Sequence, residues 1–206
     1  SRFRHSTRFA VSVMTPLVFN CDLVTLLFPR FLAVVKFVNH IAGFLCMFSN
    51  ILVRENFGLE LSSNMKTFDN KVAVVTGAAS GMGRYLAVLL AKMGCNVAVC
   101  DVNEDELSKT ATMLSHYNIA TSVHVVDIAD LSQIERLHEE VIARHQKVDL
   151  VFNNAGITVM SDFEHMPAED WDRVMDINLA GVINMTRKFL PDLKARPEAA
   201  LINTCL

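Results

Sequence analysis

The hydrophobic positions of this chain change rhythm near its first third. From Phe9 to Val53 they run almost unbroken, whereas beyond Met65 they fall into short β-branched runs separated by stretches of helical spacing. That alternation predicts a parallel sheet with crossover helices, because a strand covered on both faces is apolar throughout while each covering helix buries one stripe. Five strands are expected, at Val72–Thr76, Asn96–Cys100, Thr121–Val126, Leu150–Asn153 and Ala200–Thr204. Between the third and fourth, residues 131–145 place Leu131, Ile134, Leu137, Val141 and Ile142 on one helix face, with Asp130 as N-cap and Gln133 three residues on. Asn103 caps another helix whose first turn holds Glu104, Asp105 and Glu106, acids that complement its positive end. A long helix over about 168–193 carries an apolar stripe through Trp171, Val174, Met175, Val182, Met185 and Phe189, and Asn178 falls on that stripe.

The apolar start divides the chain into a leader, 1–64, and a sheet-forming domain, 65–206. Arg2, Arg4 and Arg8 stand at its beginning, and Arg30 separates two apolar runs. As a helix the second run, 31–53, would be roughly 34 Å long, close to the hydrocarbon thickness of a bilayer. Lys36, Asn39, His40 and Asn50 lie inside it, and a central charge costs about 2.5 to 3.5 kcal/mol, although a lysine near one end can snorkel. Pro16, Asn20 and Asp22 interrupt the first run. Residues 9–53 therefore read as a membrane anchor, as a leader foreign to the folded unit, or as a soluble extension. Met65, before the polar lead 66–71, is where a free-standing sheet protein would begin. The expected location is accordingly the cytoplasm, or a membrane with the domain facing the cytosol.

Net charge is −3 and lysine and arginine form no long block, which excludes a nucleic-acid backbone as partner. Five scattered cysteines, with no Cys-x-x-Cys pair, exclude a zinc site and point to a reducing compartment. Cys95 and Cys100 read as small buried residues around a strand.

The candidate chemistry begins where the first strand of the domain runs into Gly77-Ala78-Ala79-Ser80-Gly81-Met82-Gly83 and then a helix starting near Arg84. Glycine suits Gly77 for a tight turn, Gly81 for close backbone approach, and Gly83 so that the helix can pack on the strand. The opened helix end offers free N–H groups and a positive dipole to a pyrophosphate. Asp101 ends the next strand, where a carboxylate can accept both ribose hydroxyls of NAD and repel a 2′-phosphate. Ala78, Ala79 and Ser80 include no basic residue.

Thr76 to Gly83 match every fixed position of Thr-Gly-x-x-x-Gly-x-Gly, and on this motif the sequence resembles the short-chain dehydrogenase/reductase family from about Lys71 to Thr204. The resemblance implies an α/β fold, a doubly wound Rossmann parallel sheet, here incomplete and preceded by the apolar extension. It implies that Asp127 and Ile128 hold the adenine edge, and that Asn153-Asn154-Ala155-Gly156 lines the cofactor cleft and ties the sheet together. The implied cofactor-binding set is Gly77, Ala79, Ser80, Gly81, Met82, Gly83, Asp101, Asp127, Ile128, Asn154, Ala155 and Gly156. It further implies that Asn178, in Asn178-Leu179, belongs to a catalytic tetrad and holds a water in a proton relay. Without the family, Asn178 reads as a satisfied core or interface amide.

The sequence also departs from the pattern. Family members continue from the fifth strand through a serine pair to a Tyr-x-x-x-Lys helix, whose tyrosine is the general acid/base. Cys205-Leu206 stands where the serine pair is expected, and Tyr85 and Tyr117 each lack a lysine four residues on. The fifth strand is therefore expected to be an exposed sheet edge. Three functions follow: part of an NAD-dependent oxidoreductase of an alcohol or carbonyl substrate, a non-catalytic nucleotide-binding protein, or a membrane-anchored dehydrogenase of lipophilic alcohols. The family pairs through the helix of Asn178 and the one after it, so a homo-oligomer is expected of a complete protein only.

Overall fold

The computed structural model describes residues 8–13 and 67–204. They all belong to one compact unit. The elements are β1 (Arg8–Val13), β2 (Val72–Thr76), α1 (Gly81–Lys92), β3 (Asn96–Asp101), α2 (Glu104–Leu114), β4 (Thr121–Val125), α3 (Leu131–His145) and β5 (Leu150–Asn153). After a 3₁₀ turn at Phe163–His165 come α4 (Ala168–Met175), a π turn (Asp176–Gly181), α5 (Val182–Lys194) and β6 (Glu198–Asn203).

The sheet order is β1-β6-β5-β2-β3-β4 and every pairing is parallel. The chain steps outward from β2 to β3 and β4, then returns through α3 to β5 on the other side of β2. With right-handed crossovers, that reversal puts helices on both faces and opens a switch point between β2 and β5. Accordingly α1 packs on α2, β2 and β3, while α3 packs on α5. Every residue of β2 is buried, as a strand covered twice must be. One core joins Val74 and Val151 of the sheet to Ile134, Leu137 and Val141 of α3 and to Met185, Phe189 and Leu193 of α5. Each such side chain contributes about 1.5 to 3 kcal/mol of transfer free energy.

The expected caps are present. Asn103 accepts from the Glu106 N–H at 3.0 Å, and Asp130 accepts from Ser132 and Gln133. Cys95 and Cys100 are buried and unpaired, and burial pushes the Cys95 thiol up to about 12.

Three expectations need correction. The edge at β6 is not bare: Arg8–Val13 pairs with it over its whole length, Arg8 against Glu198 through Val13 against Asn203. Paired on both sides, β6 starts at Glu198, two residues before the expected Ala200. The start of the apolar leader is thus sheet, and the 31–53 run lies outside the described residues. Among the described residues no helix is long and apolar enough to cross a membrane. Finally, the 168–193 helix is not one regular rod. The π turn adds a residue and shifts the buried face to Ile177, Gly181, Met185, Phe189 and Leu193, leaving Trp171 and Met175 exposed.

Between β4 and α3 lies a polar chain. Glu140 Oε2 is 2.7 Å from His124 Nδ1, His124 Nε2 is 2.8 Å from Ser122 Oγ, and that oxygen is 2.9 Å from His145 Nε2. Burial, helped by Arg144 and His124, lowers the His145 pKa to about 4 from 6.5. The unfolded imidazole takes up its proton near pH 6.5 and the folded one only near 4, so stability is level above that window and falls as pH drops through it. Urea unfolding is expected to give a folding free energy about 2 kcal/mol smaller at pH 5 than at pH 7.5, with His145→Gln removing most of the difference. An unchanged pH dependence in that variant would contradict the assignment.

Candidate functional site

Strand β2 ends at Thr76 and α1 begins at Gly81, three residues before the expected Arg84, so the second and third glycines lie inside the helix's first turn. Gly77 and Gly81 have φ of +66° and +51°, the left-handed region that side chains avoid. A Cβ at Gly77 would lie 2.8 Å from the Cα of Ala155. One at Gly83 would lie 2.1 Å from the Gly77 carbonyl oxygen and 2.7 Å from Asn154 Nδ2. Gly83 therefore packs closely on the glycine turn.

Gly81 differs from both, since an added Cβ would meet nothing within 4 Å. This open space lies at the first turn of α1, whose N–H groups have no acceptor within the helix. Ser80, exposed at the N-cap, makes no capping hydrogen bond with its hydroxyl. Donor-rich and open, this end of α1 fits a pyrophosphate. Met82 is half-buried beside it.

Asp101, at the end of β3, is held in place by backbone. Its Oδ2 accepts from the Ala79 N–H and its Oδ1 from the Asn103 N–H, both at 3.0 Å. A carboxylate oxygen has two lone pairs, so each retains capacity for a ribose hydroxyl. Ala79 itself is buried, with its carbonyl engaged by the Arg84 guanidinium.

The motif after β5 is locked to the glycine turn. The Thr76 hydroxyl accepts from the N–H groups of Asn154 and Ala155, each at 2.9 Å, and donates to the Phe152 carbonyl. Asn154 Nδ2 donates back to the Thr76 carbonyl at 3.1 Å and reaches the Gly77 carbonyl at 3.4 Å. Asn153 ties β5 to Asn203 of β6 and to Thr186 of α5, and its own Oδ1 is buried without a hydrogen-bond partner. Ala155 and Gly156 follow, half-buried, at the carboxyl end of β5.

The remaining candidates are engaged within the fold. Asp127 Oδ2 accepts from Arg173 at 2.7 Å and its Oδ1 from the Ala129 N–H at 2.9 Å. Ile128 lies in the core, against Gly181. Asn178 forms a two-point clamp on the loop beyond β5, accepting from the Ile157 N–H at 2.9 Å and donating to the Ile157 carbonyl at 2.8 Å. The sequence reading did not single out Thr76 as a site residue, nor Arg84, Glu106 and Thr110, which brace the turn from α1 and α2. A buried hydroxyl closing an apolar run is the signal that would have found Thr76.

Comparison with known proteins places these features in one group. The profile of the short chain dehydrogenase family matches residues 71–205. The chain is 31% identical over 135 residues to the 3-oxoacyl-(acyl-carrier-protein) reductase FabG of Thermotoga maritima, covering 66% of this chain and 55% of that protein. It is 33% identical over 139 residues to the putative oxidoreductase SadH of Mycobacterium tuberculosis, covering 68% and 50%. Among solved structures, a short chain dehydrogenase/reductase from Burkholderia phymatum in complex with NAD matches with a TM-score of 0.66 and 34% identity, over 68% of this chain and 50% of that one. A metagenomic short-chain oxidoreductase in complex with NADP matches at 0.63 and 26%, over 66% and 62%. The chain spans about half the length of the curated relatives it matches. With the family profile matching residues 71–205, the chain belongs to the short-chain dehydrogenase family.

Proposed function

We propose that this chain is the dinucleotide-binding unit of an oxidoreductase that moves hydride between a nicotinamide cofactor and an alcohol or carbonyl substrate, with NAD preferred to NADP. The observation that carries the reading is the pairing of an open, donor-rich helix end at Gly81 with Asp101, whose carboxylate is fixed by two backbone N–H groups. Ser80, Gly81, Met82 and Gly83 would hold the pyrophosphate and Asp101 the adenosine ribose. Asp127, Ile128 and the backbone of Asn154, Ala155 and Gly156 would border the rest of the cofactor, with the Asp127 carboxylate shared with Arg173. Asn178 would act by shaping the loop at Ile157. When bound, the nicotinamide supplies or accepts the hydride.

Proton transfer needs a positioned acid/base, and neither Tyr85 nor Tyr117 has the lysine partner four residues on. A polypeptide of these 206 residues is therefore expected to bind NADH without oxidising alcohols. Calorimetry of NADH against the chain and its Asp101→Ala variant tests the first half. Losing the charge-assisted bonds to the ribose should weaken binding about 10- to 100-fold. Equal affinity in the two proteins, or NAD reduction with any of a panel of alcohols, would refute the corresponding half.

The exposed side chains Trp171, Met175, Leu179 and Ile183 recur every fourth residue along α4, the π turn and α5. Such a stripe supports pairing between copies of the complete protein through this helix. The proposed location is the cytosol, consistent with unpaired thiols at Cys95 and Cys100.

A further inference from the structure

The side of the glycine turn facing α1 and α2 carries a second charged pair that the cofactor reading leaves unused. Arg84 Nη2 donates to the carbonyl of Ala79, to the carbonyl of Glu106 at 3.1 Å, and to Glu106 Oε2 at 2.7 Å. Its Nε donates to Thr110 Oγ1 at 3.0 Å, and that hydroxyl in turn donates to the Ala78 carbonyl at 2.9 Å. The guanidinium is thus bonded to the same residue, Ala79, whose N–H holds Asp101. Three neutral acceptors fix it in position, and among the described residues its ion-pair partner is Glu106. Glu106 also binds Lys109, a side chain more exposed than Arg84.

Resting on the proposed cofactor reading, we propose that Glu106 is a specificity-determining residue: by neutralising Arg84 beside the Asp101 ribose site, it withholds a favourable positive potential from a 2′-phosphate and so reinforces the choice of NAD. Asp101 supplies direct repulsion and direct hydrogen bonds. Glu106 acts one residue further out, through the charge balance of the turn. Glu104 and Asp105 share the first turn of α2 with Glu106, but of these acids it is Glu106 that bonds the Arg84 guanidinium. Without the Glu106 charge, a guanidinium anchored to the carbonyl of Ala79, whose N–H holds Asp101, loses its ion-pair partner. In solvent-exposed surroundings a unit charge about 6 Å from a dianionic phosphate changes its binding by about tenfold.

The test measures NADH and NADPH affinities by calorimetry for the full chain and for Glu106→Gln, Glu106→Asp, Asp101→Ser and the Asp101→Ser/Glu106→Gln double variant. The quantity read is the ratio of the NADPH to the NADH dissociation constant. It should fall about tenfold from Asp101→Ser to the double variant, and by a similar factor from the unaltered chain to Glu106→Gln. Glu106→Asp, which keeps the charge, should hold the ratio near its original value, and 0.5 M salt should shrink the shift. A purely structural brace would weaken both cofactors together and leave the ratio still. An unmoved ratio in both Glu106→Gln backgrounds overturns the role of Glu106 while NADH binding by the unaltered chain upholds the cofactor reading. Absence of NADH binding by the folded, unaltered chain overturns both.

Discussion

A chain with alanine at position 83 is expected to lose NADH binding altogether and about 3 kcal/mol of stability. The added methyl would lie 2.1 Å from the Gly77 carbonyl oxygen, a backbone atom that cannot rotate away, and 2.7 Å from Asn154 Nδ2. To admit it, α1 must withdraw from the glycine turn, breaking the Asn154 bonds to Thr76 and Gly77 and displacing the helix end offered to the pyrophosphate. Overpacking of this kind usually costs about 1 to 3 kcal/mol, and a backbone clash belongs at the upper end. Gly81→Ala separates the two effects. Its methyl enters open space, so its cost arises from the positive φ, about 1 kcal/mol, together with obstruction of the ligand's approach. Urea unfolding and NADH calorimetry on both variants check the contrast. Wild-type affinity in Gly83→Ala would show that the turn is not where the cofactor sits.

Asp149→Ala is expected to destabilise the fold by about 3 to 5 kcal/mol, without involving the cofactor. Asp149 is fully buried at the entry to β5; its Oδ2 accepts from the Val72 N–H at 2.9 Å and its Oδ1 from Arg196 Nε at 2.8 Å. One carboxylate thus joins the starts of β2 and β5 to the turn before β6. Removing it orphans a buried backbone donor and strips a cation of its partner, the circumstance in which loss of a buried pair costs most. Arg196 is partly exposed and can recover water, which limits the loss. Asp127→Ala provides the comparison: its pair with Arg173 is much more exposed and should matter by less than about 1 kcal/mol. Similar denaturation midpoints for the two variants would contradict this ranking.

What the sequence disclosed was local. The Asn103 and Asp130 caps and the apolar strands each follow from residues within one turn or one strand of each other; the caps are as expected, and the strands agree with the pattern apart from one or two residues at their ends. Nonlocal features were hidden. Nothing in Arg8–Val13 distinguishes a strand that will lie beside Glu198–Asn203 from the start of an apolar leader, because the pairing is made across the whole chain. The role of Asp149 appears only when the Val72 N–H and Arg196 close around it. One uniform period over 168–193 misplaces the helix stripe, because a single wide turn at Asp176–Gly181 moves the phase by about one residue, or roughly 100°. The site was legible as a set of positions but not as a set of commitments. Asp127 and Asn178 were visible, yet their partners Arg173 and Ile157 emerge only from folding.

The central claim is that the first turn of α1 and Asp101 together grip a nicotinamide dinucleotide. Amide shift mapping by NMR on addition of NADH to the isotope-labelled chain tests it most directly. The largest changes should fall on Ser80, Gly81, Met82, Gly83 and Asp101, with smaller ones at Asn154 to Gly156. Saturating NADH that leaves these amides unmoved in a folded chain, or that shifts a different surface, would contradict it.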